Sequence, residues 1–259
     1  MSETPSLIDP TADIGSNTKI SATARIFGNV QIGDGVKIDD YCVIGQPTGN
    51  TGEPPLVIRE NALIRSHTVI YEGSTFGPQL ETGHHVIIRA GTRAGKNLRV
   101  GNHSDIEGHC VIGDYCRFHG YVHVGRGSRI GHFVWLFSLT TLTNDPLPPS
   151  DTELPVTIED GVVACVNTTI LPGTRLGKGA YLAAGAHVEG NIPAGAVVKG
   201  TGGEVKSHVS LLANFEHGIR HPWMNHFDRG YPSEARARLL TLRDEITNGR
   251  TTFLTKLST

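Results

Sequence analysis

Apolar residues recur at every sixth position along most of this chain, and the register holds over long blocks. The middle block reads Ile58, Ile64, Ile70, Phe76, Thr82, Ile88, Ala94, Val100, Ile106, Ile112, Phe118, Val124, Ile130, Leu136 and Leu142, with only Thr82 polar. The same spacing precedes it from Ile8 through Ile14, Ile20, Ile26, Ile32 and Ile38 to Ile44. It follows from Ile158 through Ala164, Ile170, Leu176 and Leu182 to Val188. A period of six fits neither the 3.6 of a helix nor a hairpin array, but it matches the hexapeptide repeat of a parallel β-helix, in which three repeats close one triangular coil. Seven, fifteen and six repeats then give about nine coils. A glycine often follows the apolar residue, as at Gly15, Gly33, Gly113 and Gly131, which suits a corner needing positive φ or close approach.

Two phase breaks mark insertions. Residues 46–57 carry Pro47, Gly49, Gly52, Pro54 and Pro55, and residues 143–155 read Thr-Asn-Asp-Pro-Leu-Pro-Pro-Ser at their start, so both are expected as loops. Beyond Val198 the pattern dissolves. The expected organisation is an all-β solenoid over residues 1–200 and a partly helical extension over residues 201–259. In that extension a short helix is expected over Val209–Phe215 and an ordered loop over Arg220–Pro232. A helix from Glu234 to Ile246 should follow, capped by Ser233, with Leu239, Leu242 and Ile246 on one side.

Composition narrows the partners. A chain of 259 residues with net charge −2 is long enough for one large domain with an appendage, and it lacks the basic field that nucleic acid requires. Met1 to Pro10 has no charged region followed by an apolar one, and no stretch approaches the roughly 18 apolar residues of a membrane span. Cytoplasmic residence without a membrane partner is the expectation. Cys42, Cys110 and Cys116 sit two residues before a repeat position, so they should point inward as small core residues; Cys165 is the accessible candidate.

Residues one before each apolar position should point outward, and residues eighteen apart should stack on one face. One such column is Val69, Ile87, Asp105, His123 and Thr141. Outward Val and Ile suggest a subunit contact, with Asp105 and His123 where it opens. The other outward columns, Leu63, Glu81, Arg99, Arg117, Trp135 and Thr75, Arg93, Val111, Arg129, are mostly charged. Trp135 is read first as packing beneath the proline-rich loop. His119 and His123 could supply a base near neutral pH or a hydrogen bond to substrate, against a purely structural hydrogen bond for each. His67, His85 and His103 form a corner column ending at Tyr121. In repeat the chain is similar to carbonic anhydrases of this class, whose third zinc ligand would fall on Gly108, so no metal is expected.

Several segments resemble the hexapeptide-repeat N-acetyltransferases of nucleotide-linked amino sugars, closest to those acting on thymidine-diphosphate-linked 3-amino-3,6-dideoxyhexoses. They are Phe133–Phe137, Leu142–Ser150, Val156–Asp160 and Asn167–Gly173, with Ile64–Glu72, Thr82–His84, Ser104–Ile106 and Tyr121–Gly125. The resemblance covers roughly residues 58–200. It implies a left-handed helix, a homotrimer with sites between subunits, and transfer of an acetyl group from acetyl-coenzyme A to a sugar amine for surface glycan synthesis. On it, Asp105, His123 and His119 are the catalytic candidates. His84, Arg89, Asn144, Asp145 and Trp135 are substrate-binding candidates. Ala164, Ala183, Ala184, Gly185 and Lys199 are coenzyme A-binding candidates, against core packing at tight corners. Because a neutral amine attacks a thioester readily, holding the partners in line can supply about 7–11 kcal/mol. The segment Ile44–Pro54 also resembles UDP-N-acetylglucosamine acyltransferases, but the position of their catalytic histidine is Gly108 here, with His109 one place further. Sugar O-acetyltransferases and a non-catalytic scaffold are the other rivals.

Overall fold

The computed structural model describes residues 7–257, so Met1 to Ser6 of the N-terminal stretch lie outside the described residues. The chain is a left-handed parallel β-helix with a short helical C-terminal part, and it divides into two compact units, Met1–Gly127 and Ser128–Thr259. Most strands are only two residues long, one turned outward and the next inward. Two residues satisfy a β ladder only if neighbours continue it on both sides, so the stability of each coil resides in its stacking on the next.

In the first unit three parallel walls are built in rotation. The first contains strands Asp13–Ile14, Val30–Ile32, Leu56–Ile58, Thr75–Phe76, Arg93–Ala94 and Val111–Ile112. The second begins at Lys19–Ile20 and ends at Arg117–Phe118, and the third begins at Arg25–Ile26 and ends at His123–Val124. Residues eighteen apart are partners, as in Ile87↔Asp105 and Asp105↔His123. The inward residues Ile64, Ile70, Phe76 and Ile88 have no exposed surface. Thr82, the polar exception in the series, is buried too; its hydroxyl accepts the Arg65 N–H at 3.0 Å and shares a bond with Thr68 at 3.2 Å. Cys42, Cys110 and Cys116 are buried and Cys165 is half-buried, as their spacing indicates.

The corners divide their demands between two positions. The glycine directly after the apolar residue answers close approach: a Cβ on Gly101 would sit 2.4 Å from the His119 carbonyl carbon. The positive φ falls two residues later, on Asn61, His67, Gln79, His85, Asn97 and His103 among others, at 56–62°. Asn and His are among the non-glycine residues that tolerate this region best.

Both insertions leave the wall and return in register. The first loop is narrower than expected, Pro47 to Pro55, because strand Val43–Gln46 and strand Leu56–Ile58 extend into its ends. Gln31 pairs with Val57, where an uninterrupted repeat would have put Gly49. Arg117 keeps its outward slot opposite Arg99 but is not exposed as expected: it is 5% exposed, and its guanidinium donates to the Asn97 carbonyl and Oδ1, each at 2.5 Å, and to the Cys116 carbonyl at 3.0 Å. A guanidinium whose donors meet backbone and side-chain oxygens can lie flat and be covered.

The second unit repeats the construction with walls starting at Arg129–Ile130, Trp135–Leu136 and Thr141–Leu142. Strand Ala196–Lys199 closes its wall by pairing antiparallel with Glu204–His208. The expected helix at Val209–Phe215 is instead a 3-10 turn over Val209–Leu211, followed by a small antiparallel pair, Ala213–Asn214 with Ile219–Arg220. His208 Nδ1 accepts the Ser210 N–H, which closes one turn, and Leu212 is already extended. The expected loop after Arg220 contains a 3-10 turn at Trp223–Asn225. Helix α1 (Arg236–Asn248) buries Leu239, Leu242 and Ile246, as its periodicity predicts. Ser233 does not cap it: Ser233–Ala235 form a 3-10 turn, and the Ser233 carbonyl accepts the Arg236 N–H. A second helix, α2 (Arg250–Leu257), follows and was not evident from the repeat. Helix α1 docks on glycine corners: a Cβ on Gly179 would meet Ile246 at 2.6 Å and one on Gly161 would meet Leu242 at 3.0 Å.

Candidate active site

The third wall of the first unit carries Val69, Ile87, Asp105 and His123 as an outward column in direct register. Ile87 is 44% exposed, a large apolar side chain beside the Asp105–His123 pair. His123 Nδ1 donates to Asp105 Oδ2 at 2.8 Å, both side chains being partly exposed. The hydrogen bond and then the charge of Asp105 raise the imidazole above its ordinary value, against the opposing effect of burial, and Glu107 adds to the rise. With Nδ1 committed to the carboxylate, Nε2 is the nitrogen left to take or give a proton.

His119 lies on the corner that leads into the His123 strand. Its carbonyl accepts from Ser104 Oγ at 2.9 Å, and Ser104 Oγ in turn accepts the Val122 N–H at 3.0 Å. This buried hydroxyl fastens the coil of Asp105 to the coil of His123. The His119 ring is half-buried, and burial lowers its pKa, favouring the neutral form.

At the far edge of the same wall the chain turns through Tyr71, Arg89, Glu107 and Arg126. The inserted loop lies against this edge, and together they enclose a polar cavity of about 210 Å³ lined also by Thr48, Asn50 and Glu53. The loop is fastened by Glu72, which is 7% exposed: its Oε1 accepts the Thr48 N–H at 2.9 Å and its Oε2 accepts Asn29 Nδ2 at 3.0 Å. Arg89 was a candidate from the sequence; Glu72, Glu107 and Arg126 were not. Their signal was present, since Glu107 and Arg126 stand two and three residues after Asp105 and His123, but the repeat says nothing of what the loop encloses.

The remaining candidates are dispersed. His84 is exposed, with Nδ1 sharing a 2.8 Å hydrogen bond with Ser66 Oγ and its backbone N–H donating to Asn102 Oδ1. His67, His85 and His103 stack at centroid distances of 4.5 and 4.9 Å, and Tyr121 continues the stack at 5.0 Å. Stacked rings do not converge on a point, and among the described residues no group of three metal-ligating side chains occurs. In the second unit Asp145 is occupied by its own loop, accepting from Leu147 N–H, Ser150 N–H and Ser150 Oγ at 2.6–2.9 Å, which lowers its pKa. The Asn144 carbonyl accepts the Leu154 N–H at 2.6 Å. Trp135 joins an aromatic cluster with Phe137, Trp223 and Phe227 at 5.7–5.9 Å. Ala164 has no exposed surface and belongs to the core, whereas Ala183 and Ala184 line an apolar pocket. A Cβ on Gly185 would meet open space, and Lys199 is exposed at the end of its strand. No described helix is long and apolar enough to cross a membrane.

No family model matches the chain. Over 89 residues it is 43% identical to a 2,3,4,5-tetrahydropyridine-2,6-dicarboxylate N-acetyltransferase of Staphylococcus aureus, which is 34% of this chain and 31% of that protein. The chain thus spans about a third of the length of the curated relatives it matches. Among solved structures, a UDP-N-acetylglucosamine acyltransferase from Campylobacter jejuni is similar with a TM-score of 0.55 and 17% identity, covering 96% of this chain and 82% of that one. At that identity the likeness is one of fold: the chain is built on the same β-solenoid as an acyltransferase.

Proposed function

We propose that the chain is an acetyl-coenzyme A-dependent N-acetyltransferase acting on the amine of a nucleotide-linked amino-deoxyhexose, of the thymidine-diphosphate 3-amino-3,6-dideoxyhexose type, for surface glycan synthesis. The observation that carries this reading is the Asp105–His123 pair, hydrogen-bonded at 2.8 Å on an open wall. Arg89 and Arg126 line the polar cavity at the edge of that wall and supply the charge a diphosphate requires. Glu107 and Asn50, in the same lining, offer an acceptor and an amide for sugar hydroxyls. The stretch shared with an N-acetyltransferase supports amine acylation.

The reaction in this reading is attack of the neutral amine on the thioester carbonyl, collapse of the tetrahedral intermediate, and departure of coenzyme A thiolate. His123 Nε2 receives the amine proton, or the thiolate does; Asp105 holds the ring in one orientation and favours the imidazolium that forms. The apolar Val69 and Ile87 above the pair support a homotrimer in which a second copy covers this wall and completes the site. Lys199, Ala183, Ala184 and Gly185 are the proposed contacts of coenzyme A.

One observation favours a second reading. A carboxylate-held imidazole is what a hydroxyl nucleophile needs, since an alcohol attacks poorly without a base. Free-thiol release with acetyl-coenzyme A, measured on matched sugar nucleotides bearing an amine or a hydroxyl at the same carbon, separates the two. Faster release with the amine is the expected result, and the reverse order makes the chain an O-acetyltransferase. Release with neither refutes both. If His123→Asn and His119→Asn keep near-normal turnover at saturating substrate, positioning carries the rate and histidine takes no proton.

A further inference from the structure

The second unit holds a pocket of about 670 Å³ between the outward wall of strands Trp135–Leu136, Val163–Ala164 and Tyr181–Leu182 and the segment running from Ile219 to Phe227. Its volume lies within the roughly 300–1,000 Å³ of small-molecule sites, far beyond the voids that close packing leaves. Trp135, Phe137, Val163, Tyr181, Trp223 and Phe227 are among its lining residues, and among the described residues no carboxylate, ammonium or guanidinium lines it.

Several polar atoms of these walls are covered or already engaged. Trp223 is 7% exposed and its Nε1 is sealed beneath the lining, without a hydrogen-bond partner; His221 Nδ1 is sealed in the same way. The Tyr181 hydroxyl is bonded to the Cys165 thiol. His226 Nδ1 donates to the Arg220 carbonyl at 2.7 Å. His221 is held neutral by burial and by His226, its pKa pushed down to about 4. A guest therefore meets a mostly apolar lining.

We infer that this pocket is a binding site for an unbranched hydrocarbon chain. The alternative of a flat aromatic guest fits less well, because the rings already pack on one another: Trp135 meets Trp223 and Phe227 edge to face, and Trp223 stacks on Tyr231 at 5.7 Å. A planar guest would have to match rings already packed edge to face or, as Trp135 and Phe137 are, nearly parallel to each other, whereas methylenes need only apolar surface. The site shares Ala183 and Ala184 with the proposed coenzyme A contacts, but it does not depend on the role given to Asp105 and His123.

The pocket carries its own probe, since Trp135 and Trp223 are the two tryptophans of the chain and both line it. Titration of the full chain with 1-hexanol, 1-octanol and 1-decanol should give a saturable change in tryptophan emission, with affinity rising about fourfold per added methylene. Val166 lines the pocket and is 46% exposed, so Val166→Arg should keep the fold and weaken decanol binding at least tenfold, while Val166→Leu should bind as before. Circular dichroism and the melting temperature report folding of each variant. A second arm compares octanoyl-coenzyme A with octanol: tighter binding of the thioester assigns the chain to an acyl donor, and equal binding assigns it to a free hydrocarbon. The inference is overturned by an emission that does not saturate, by affinities indifferent to chain length, or by a folded Val166→Arg variant that binds normally. It is also overturned if binding appears only when an oligomer is dissociated, because a second copy then fills the pocket.

Discussion

Asn97 is the sharpest place to test how the corners are held. Its backbone sits at φ +56°, its carbonyl and Oδ1 each accept from the buried Arg117 guanidinium at 2.5 Å, and its Nδ2 donates to Gln79 Oε1 at 2.9 Å. Asn97→Ala imposes two separable costs. The left-handed conformation disfavours a Cβ residue by about 1–2 kcal/mol, and removing an acceptor from a buried charged donor costs about 1.5–3 kcal/mol. Asn97→Ala should therefore lose about 2.5–5 kcal/mol. Asn97→Gly keeps the backbone comfortable and loses only the amide contacts, about 1.5–3 kcal/mol. Asn97→Asp restores a charged acceptor for Arg117 and gives up the Gln79 bond, so it should stay within about 1 kcal/mol of the parent. The assay is urea unfolding at pH 7 followed by far-ultraviolet circular dichroism, with the first transition compared across the set. Equal losses for alanine and glycine would show that the corner conformation costs nothing. An aspartate as harmful as alanine would show that Arg117 does not depend on this oxygen.

Other expectations follow from the same geometry. Gly179→Ala combines φ +66° with a Cβ 2.6 Å from Ile246, so it should destabilise the second unit by about 2–5 kcal/mol and loosen α1, read as faster amide exchange in Arg236–Asn248. His221 is depressed to about 4 and His208 is depressed by burial; the unfolded chain binds more protons, so stability falls as pH drops from about 6.5 to about 4, and tryptophan-monitored melts should show it, with His221→Phe flattening the slope. The opposite sign holds at His123, which is raised by Asp105. Its contribution is full below about 6.5 and fades as pH rises through its folded value, so Asp105→Asn should move the imidazole titration, followed by NMR, to lower pH.

Much of this architecture was written in the period of the apolar residues. An interval of six admits one solution, and the outward partnership of Asp105 with His123 follows directly from counting eighteen. What the period could not convey is anything that depends on a third body. Arg117 occupies an outward slot yet is buried, because Asn97 supplies oxygens that an index of faces does not register. Glu72, Glu107 and Arg126 came into view only when the loop from Pro47 to Pro55 was seen lying against their edge. The glycines after the apolar residues meet both alternatives read from the sequence, since Gly101 admits a neighbouring backbone and Gly45 sits at φ +80°, but the Asn and His residues that bear the left-handed turn two places further on were not anticipated. Ser233 failed as a cap because the preceding Pro232 is extended and the chain tightens into a 3-10 turn before α1 begins.

The way both excursions rejoin their walls has a consequence for how such a chain can diversify. Thr141 meets Thr169 where an unbroken rhythm would have offered Glu159, just as Gln31 meets Val57 instead of Gly49. The scaffold thus requires only that a departing segment come home to the corner it left, whatever the length travelled in between. A foreign excursion spliced between Gln46 and Leu56 would inherit Arg89, Glu107 and Arg126 as a ready floor, so a differently lined cavity could be acquired by exchanging nine residues while every rung of the ladder stays where it is.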